Sequence, residues 1–321
     1  MNIVVVTNLE KAYGDFQAVK DISFAIREGE IFGRLGPNGA GKTSTINMMI
    51  GLSRPSSGSI FIGGIDAVRN TEKTQAIIGV VPDESNLYDD MDGFDNLCFC
   101  ASLYGMGKEE RESHAKALLK QFRLNETGNK PFKAYSKGMR RKLTIAAGII
   151  HEPRILFLDE PTTGIDVESA RQIRELLVDL KKKGTTIFIT THYIEDAERI
   201  CDRIAFIVDG KIVALGTVAE LIAGIAHGHK IEISADGILD ECIMEMKKRF
   251  PKYHVILEEN RIITLSAEKR IALWPVLQFF HSKGIVVYEA REVRSSLEDI
   301  FVKITGIEAA KLKKEKGGAS K

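Results

Sequence analysis

At 321 residues the chain is long enough for one large domain or for two, each with its own core. Apolar residues make up 44% and charged residues 28%, the balance of a soluble globular protein. A formal net charge of +1 excludes any global pull toward nucleic acid or an anionic membrane, so a basic feature has to be local.

Residues 2–35 read as antiparallel strands at 3–9, 18–26 and 30–35, with turns at Tyr13-Gly14 and Glu28-Gly29. A glycine-rich loop at 36–44 leads into a helix at 44–52, and Pro55-Ser56-Ser57-Gly58 makes a turn. Strands follow at 59–62 and 77–81. Helices are expected at 91–104, 108–123 and 139–151, so residues 84–150 form a mostly helical insertion. Residues 154–158 are a strongly apolar strand, 167–183 an amphipathic helix, 185–190 a β-branched strand and 192–200 a short helix. A hairpin then crosses Asp209-Gly210.

Beyond Gly224 the pattern changes, and a domain boundary is placed within 222–229. Strands at 230–234, 253–258, 261–265 and 285–288 alternate with helices at 239–250 and 267–281, the third strand turning at Glu259-Asn260. Pro275 falls near the start of its helix or kinks it. This β-α-β-β-α-β order is that of a ferredoxin-like unit, and a last helix covers 296–304. The fold class is therefore α/β. A larger α/β domain spans 1–224, with a ferredoxin-like α+β domain at 229–306 and a basic, solvated tail at 307–321. Cys98, Cys100, Cys201 and Cys242 are too scattered for a disulfide framework; Cys98 and Cys100 read as ordinary buried thiols, and the compartment as reduced and cytoplasmic. No apolar run reaches the length of a spanning helix, so a membrane role calls for another chain.

The chemistry begins at Gly36-Pro37-Asn38-Gly39-Ala40-Gly41-Lys42-Thr43-Ser44, which fills every fixed position of G-x-x-x-x-G-K-[ST]. Glycines let successive N–H groups converge on an anion, and a helix starting near Gly41 adds the positive end of its dipole. Lys42 can reach β- and γ-phosphate oxygens, and the Thr43 hydroxyl can ligate a bridging Mg²⁺. Downstream, Ile155-Leu156-Phe157-Leu158-Asp159-Glu160 is an apolar strand ending in two carboxylates. Such a strand holds Asp159 near a metal and aims Glu160 at an attacking water. A nucleoside triphosphate with Mg²⁺ is the expected ligand.

With both stretches in place, the chain from about residue 3 to 222 resembles an ATP-binding cassette (ABC) ATPase. Further motifs follow in that family's order. The resemblance implies that Tyr13 stacks on adenine and that Pro82-Asp83-Glu84 occupies the Q-loop. It places Tyr135-Ser136-Lys137-Gly138-Met139 at the signature, Thr163-Gly164-Ile165-Asp166 at the D-loop and His192 at the switch histidine. Ser136 and Gly138 would then face the γ-phosphate held by a second subunit, and Asp166 would complete the site. Three features depart from the family: Asp83 replaces the glutamine that senses Mg²⁺, the signature carries Tyr135, Lys137 and Met139, and Arg34 stands where an apolar residue is usual. A carboxylate at 83 binds metal but repels phosphate.

The resemblance implies an ATPase subunit that pairs with a second copy around two ATPs and drives an integral membrane permease, without nucleic acid. The signature, the ferredoxin-like unit and residues 296–301 are most like the branch serving ABC-2-type exporters. An importer ATPase commonly carries an all-β C-terminal domain, at odds with the helices at 239–250 and 267–281. Soluble repair or translation proteins carry coiled coils or tandem cassettes, whereas this chain has one phosphate loop and no sustained heptads. A non-hydrolysing module would not need Lys42, Asp159 and Glu160 together.

Overall fold

The computed structural model describes residues 1–127, 129–225, 229–236, 240–258, 262–293 and 296–306. The expected turn at Glu259-Asn260 and the tail from 307 lie outside them. The chain divides into two compact units, Met1–Val218 with the described residues from Ile304 on, and Ala219–Lys303.

The first unit opens with β1 (Asn2–Tyr13) and β2 (Phe16–Arg27), an antiparallel pair joined by a tight turn. Next come β3 (Ile31–Leu35), α1 (Lys42–Met49), β4 (Ser57–Ile62), β5 (Ile65–Asp66), α2 (Thr71–Gln75) and β6 (Ile78–Val81). The helical stretch holds α3 (Gly93–Leu103), α4 (Lys108–Gln121) and α5 (Lys137–Ile149). After it run β7 (Ile155–Asp159), α6 (Val167–Lys182), β8 (Thr186–Thr191), α7 (Ile194–Ile200), β9 (Arg203–Val208) and β10 (Lys211–Thr217).

Two sheets result, one ordered β2-β1-β4-β5 and one ordered β10-β9-β3-β8-β7-β6. The expectation that β3 continues the antiparallel run of β1 and β2 is incorrect. It pairs in parallel with β8 and β9, Ile31 aligning with Ile187 and Phe32 with Arg203. Burial explains the change: β3, β7 and β8 are buried at every residue, as a parallel strand covered on both faces has to be. Phe24 and Phe188 flank Phe32 with ring centroids 5.5 and 6.0 Å away, stacking the two sheets face to face. Each buried ring contributes about 1.5–3 kcal/mol of transfer free energy.

In the second unit, α8 (Val218–Ile225) leads to β11 (His229–Ala235), α9 (Asp240–Arg249), β12 (His254–Leu257), β13 (Ile262–Ala267), α10 (Leu273–Ser282), β14 (Val287–Val293) and α11 (Leu297–Thr305). Its sheet is ordered β12-β13-β11-β14 with every described pairing antiparallel, the ferredoxin-like order. Alternation along β11 buries Ile231, Ile233 and Ala235 against the helices. The helix expected at 267–281 starts only at Leu273, because β13 runs on to Ala267. Pro275 lies in its first turn, where no intrahelical N–H is needed. The short elements β5, α2 and α8 carry too little periodicity to be read from sequence. Among the described residues no helix is long and apolar enough to cross a membrane.

Candidate functional site

The phosphate loop closes the C-terminal end of β3 and opens α1. Gly41 caps that helix at φ 92°, and a Cβ there would meet the Ala18 carbonyl oxygen at 2.4 Å. Only glycine fits both constraints. At Gly36 the limit is space: a Cβ would lie 2.3 Å from the Ile207 carbonyl oxygen. The loop is thereby pressed against β2 and β9.

Lys42 is buried, and its Nζ donates to the carbonyls of Gly36 at 2.7 Å and Pro37 at 3.2 Å. It also lies 3.3 Å from Glu160 Oε1. Burial lowers the ammonium's pKa, partly offset by the Glu160 charge and hydrogen bond. Beside it the Thr43 hydroxyl donates to Asp159 Oδ2 at 3.1 Å, and Thr190 donates to the other oxygen, Oδ1. A hydroxyl and a fixed carboxylate side by side fit Mg²⁺, which keeps most of its coordination for waters and phosphates. Among the described residues no three His, Cys, Asp or Glu side chains converge on a metal position.

Glu160 sits at a left-handed φ of 49°, held by its N–H donating to the Thr190 carbonyl at 3.1 Å. Its Oε2 accepts from His192 Nδ1 at 2.6 Å and from the Thr163 hydroxyl at 3.1 Å. Burial alone would push this carboxyl up, but the His192 hydrogen bond and the Lys42 charge bring it below its ordinary value. It is therefore an ionised carboxylate held by three donors.

A cleft of about 280 Å³ joins these groups, lined by Pro37, Asn38, Gly39, Gly41, Lys42, Thr43, Ser44, Asp159 and Glu160, with Tyr13 and Asp83 at its rim. Gly36 and Ala40 support the loop without lining it, and Ala40 is buried. Tyr13 is 49% exposed, with Lys11 Nζ 4.8 Å from its ring centroid. Its register partner Phe16, also exposed, lines the same cleft. Sequence reasoning missed Phe16, although hairpin pairing across a two-residue turn was the available signal.

The other expected residues stand apart from that cleft. Ser136 caps α5, its hydroxyl accepting from Met139 N–H at 3.2 Å. Asp166 caps α6 through Ser169, accepting from its N–H at 2.8 Å and its hydroxyl at 2.7 Å. Gly138 lies between them, since a Cβ there would strike Ser169 Oγ at 2.2 Å. One chain thus presents a cleft at the phosphate loop and, outside its lining, a pair of capped helix N-termini.

Asp83 is half-exposed and lies 3.6 Å from the guanidinium of Arg141. Arg34 is fully buried in β3, and none of its three guanidinium nitrogens has a hydrogen-bond partner among the described residues. Burial lowers its pKa to about 9. Cys98 and Cys100 are only half-buried, contrary to their reading as buried thiols, whereas Cys201 and Cys242 are buried.

A parallel sheet, a phosphate loop and a strand ending in two carboxylates define a phosphate-loop nucleoside triphosphatase. The profile of the family described as ABC transporter matches residues 19–163. The chain is 35% identical over 303 residues to the linearmycin resistance ATP-binding protein LnrL of Bacillus subtilis (strain 168), covering 93% of this chain and 97% of that one. It is 34% identical to the Nod factor export ATP-binding protein I of Cupriavidus metallidurans, covering 95% and 98%. Among solved structures, an ATP-binding subunit of an ABC transporter superposes with a TM-score of 0.64 at 30% identity, covering 69% of this chain and 92% of that one. A dimeric post-hydrolysis ATP-binding cassette holding ADP and Pi gives 0.61 at 28%, covering 67% and 98%. The chain belongs to the ABC transporter family and is an ATP-binding, ATP-hydrolysing subunit of it.

Proposed function

We propose that this subunit powers an exporter, working as a head-to-tail pair of copies beneath an integral membrane permease on the inner face of the cell membrane, with Mg²⁺ in each site. The observation that carries this is the Glu160 carboxylate, ionised and held by Lys42, His192 and Thr163 beside the Thr43–Asp159 pair. On binding, Lys42 exchanges its present partners for β- and γ-phosphate oxygens, and Tyr13 offers its face to adenine. Thr43 and Asp159 would hold the metal, which neutralises phosphate charge; Asp83, turned to Arg141, is left out of that shell. Glu160 accepts the proton of water as its oxygen attacks the γ-phosphorus and ADP leaves, while His192 fixes the direction of that carboxylate.

Export is favoured by what the relatives are named for, resistance and Nod factor export, and by α9 and α10 in the C-terminal unit. Domain limits of 1–224 for the ATPase and 229–306 for the ferredoxin-like unit belong to the same proposal. Sharing of sites is supported by the distance of the Ser136–Asp166 half-site from the cleft of its own chain, so that a second copy brings its Ser136 and Gly138 to the γ-phosphate. Mixing Lys42→Ala with Ser136→Arg tests this. Each variant alone is inactive, but about half of randomly mixed dimers are hybrid and about a quarter of all sites become whole. ATPase activity therefore recovers on mixing. No recovery, with hybrid dimers confirmed by mass, overturns independent shared sites.

A further inference from the structure

Arg141 lies on α5, five residues past the cap Ser136, and its guanidinium is buried beside the C-terminal end of β7. Its donors go almost entirely to backbone. Nε donates to the Pro161 carbonyl at 3.0 Å, and the remaining nitrogens to the carbonyls of Pro82 at 2.5 Å, Asp159 at 3.3 Å and Glu160 at 2.6 Å. The carboxylate of Asp83 lies 3.6 Å away.

Three consecutive carbonyls, those of residues 159–161, can converge on one cation only because the chain turns at Glu160. A left-handed non-glycine residue is strained and persists only where its surroundings impose it. Arg141 supplies part of that imposition, because losing the turn would leave a buried guanidinium without its acceptors. The same turn sets where the Glu160 carboxylate points. Asp83 supplies the counter-charge, which explains an acid at this position: it serves the arginine.

We propose that Arg141 is a positioning residue, holding Glu160 in its hydrolytic direction by gathering the carbonyls of residues 159–161, with Asp83 keeping the guanidinium in place. This rests on the role given to Glu160 above. It joins three stretches of one chain through a single side chain: the helix capped by Ser136, the segment after β6 and the carboxylate end of β7. Lysine keeps the charge but has no planar fork, so it cannot reach all these acceptors at once.

Steady-state ATP hydrolysis by the full-length chain tests it. Arg141→Lys is expected to lower kcat about 10–100-fold, the cost of a misplaced reacting group, with KM for ATP changed less than about threefold. Asp83→Asn lowers kcat about two- to fivefold, as for a partly exposed ion pair, and also spares KM. In the double variant Asp83→Asn adds nothing, because the guanidinium it holds is gone. An Arg141→Lys kcat within about twofold of wild type, a KM rising in step with the loss, or fully multiplying effects in the double variant overturns the proposal. Should Arg141→Lys fail to fold, Asp83→Asn decides, a wild-type kcat refuting the link and the expected loss supporting it. Glu160→Gln run alongside keeps the two readings separate. An active Glu160→Gln removes the hydrolytic role itself, whereas an inactive one beside a fully active Arg141→Lys removes only the role of Arg141.

Discussion

The two compact units solve burial in opposite ways. Unit one sinks charge into its interior: Arg34, Lys42, Arg141, Asp159, Glu160 and His192 are all buried. In the unit Ala219–Lys303, Thr264 is the only buried polar residue among those described, and its core is a cluster of Ile, Leu, Val, Met and Phe. Charge there stays near the surface, as in Arg291 donating to Glu232 at 2.9 Å and Lys230 lying 3.2 Å from the same carboxylate. Buried charge is costly unless paired, so its concentration in one unit marks where chemistry rather than stability selects the residues. The interior of the second unit is filled by apolar side chains.

That contrast can be broken most sharply at Glu160. Glu160→Gln keeps ATP affinity in a nucleotide titration but loses about 10²–10⁴ in phosphate release, as when a general base is removed. Near-normal turnover would make the buried carboxylate structural. The mirror experiment is Phe280→Ala in the apolar core, which costs the C-terminal unit about 3–5 kcal/mol in urea unfolding and leaves ATP turnover per folded molecule unchanged. A turnover loss of the Glu160 size would show that the units do not divide the labour this way. Arg34 refines the rule from within the first unit. With its guanidinium unpartnered among the described residues, Arg34→Leu is expected to raise unfolding free energy by about 1–4 kcal/mol. A destabilised Arg34→Leu would show that this charge is satisfied after all.

The smallest effect concerns pH. The Glu160 carboxyl titrates below its ordinary value of 4.5 in the fold, so its contribution to stability is present above that value. It is lost as pH falls through the lowered folded value. The melting difference between wild type and Glu160→Gln therefore holds from neutral pH down to the ordinary carboxyl range and shrinks below it. A difference constant into strong acid breaks the assignment.

Legibility followed the same divide. The phosphate loop and the 155–160 stretch were readable because each is a contiguous run whose residue types, glycines included, are dictated by the chemistry. The ferredoxin-like unit was readable because a largely apolar core prints its periodicity plainly along β11. Arg141 was not, since its partners are mostly carbonyls, and carbonyls of residues 82 and 159–161 leave no trace in residue identity. The meaning of Asp83 stayed hidden with it. Misplacing β3 among antiparallel strands had another cause: five buried residues in a row do not reveal which strands flank them.

The parallel placement of β3 also fixes the order in which the protein can be made. β1 and β2 can pair as soon as both leave the ribosome, because they are sequence neighbours. Ile31 of β3, by contrast, waits for Ile187 of β8. At about 5–20 residues per second, the intervening stretch of about 150 residues takes about 8–30 s to synthesise. Throughout that interval the phosphate loop has been translated but has no sheet to hold it, and a ligand stabilises only a site that exists. ATP can therefore act as a folding ligand for this domain only late in its synthesis, when little more than the C-terminal unit remains to be translated.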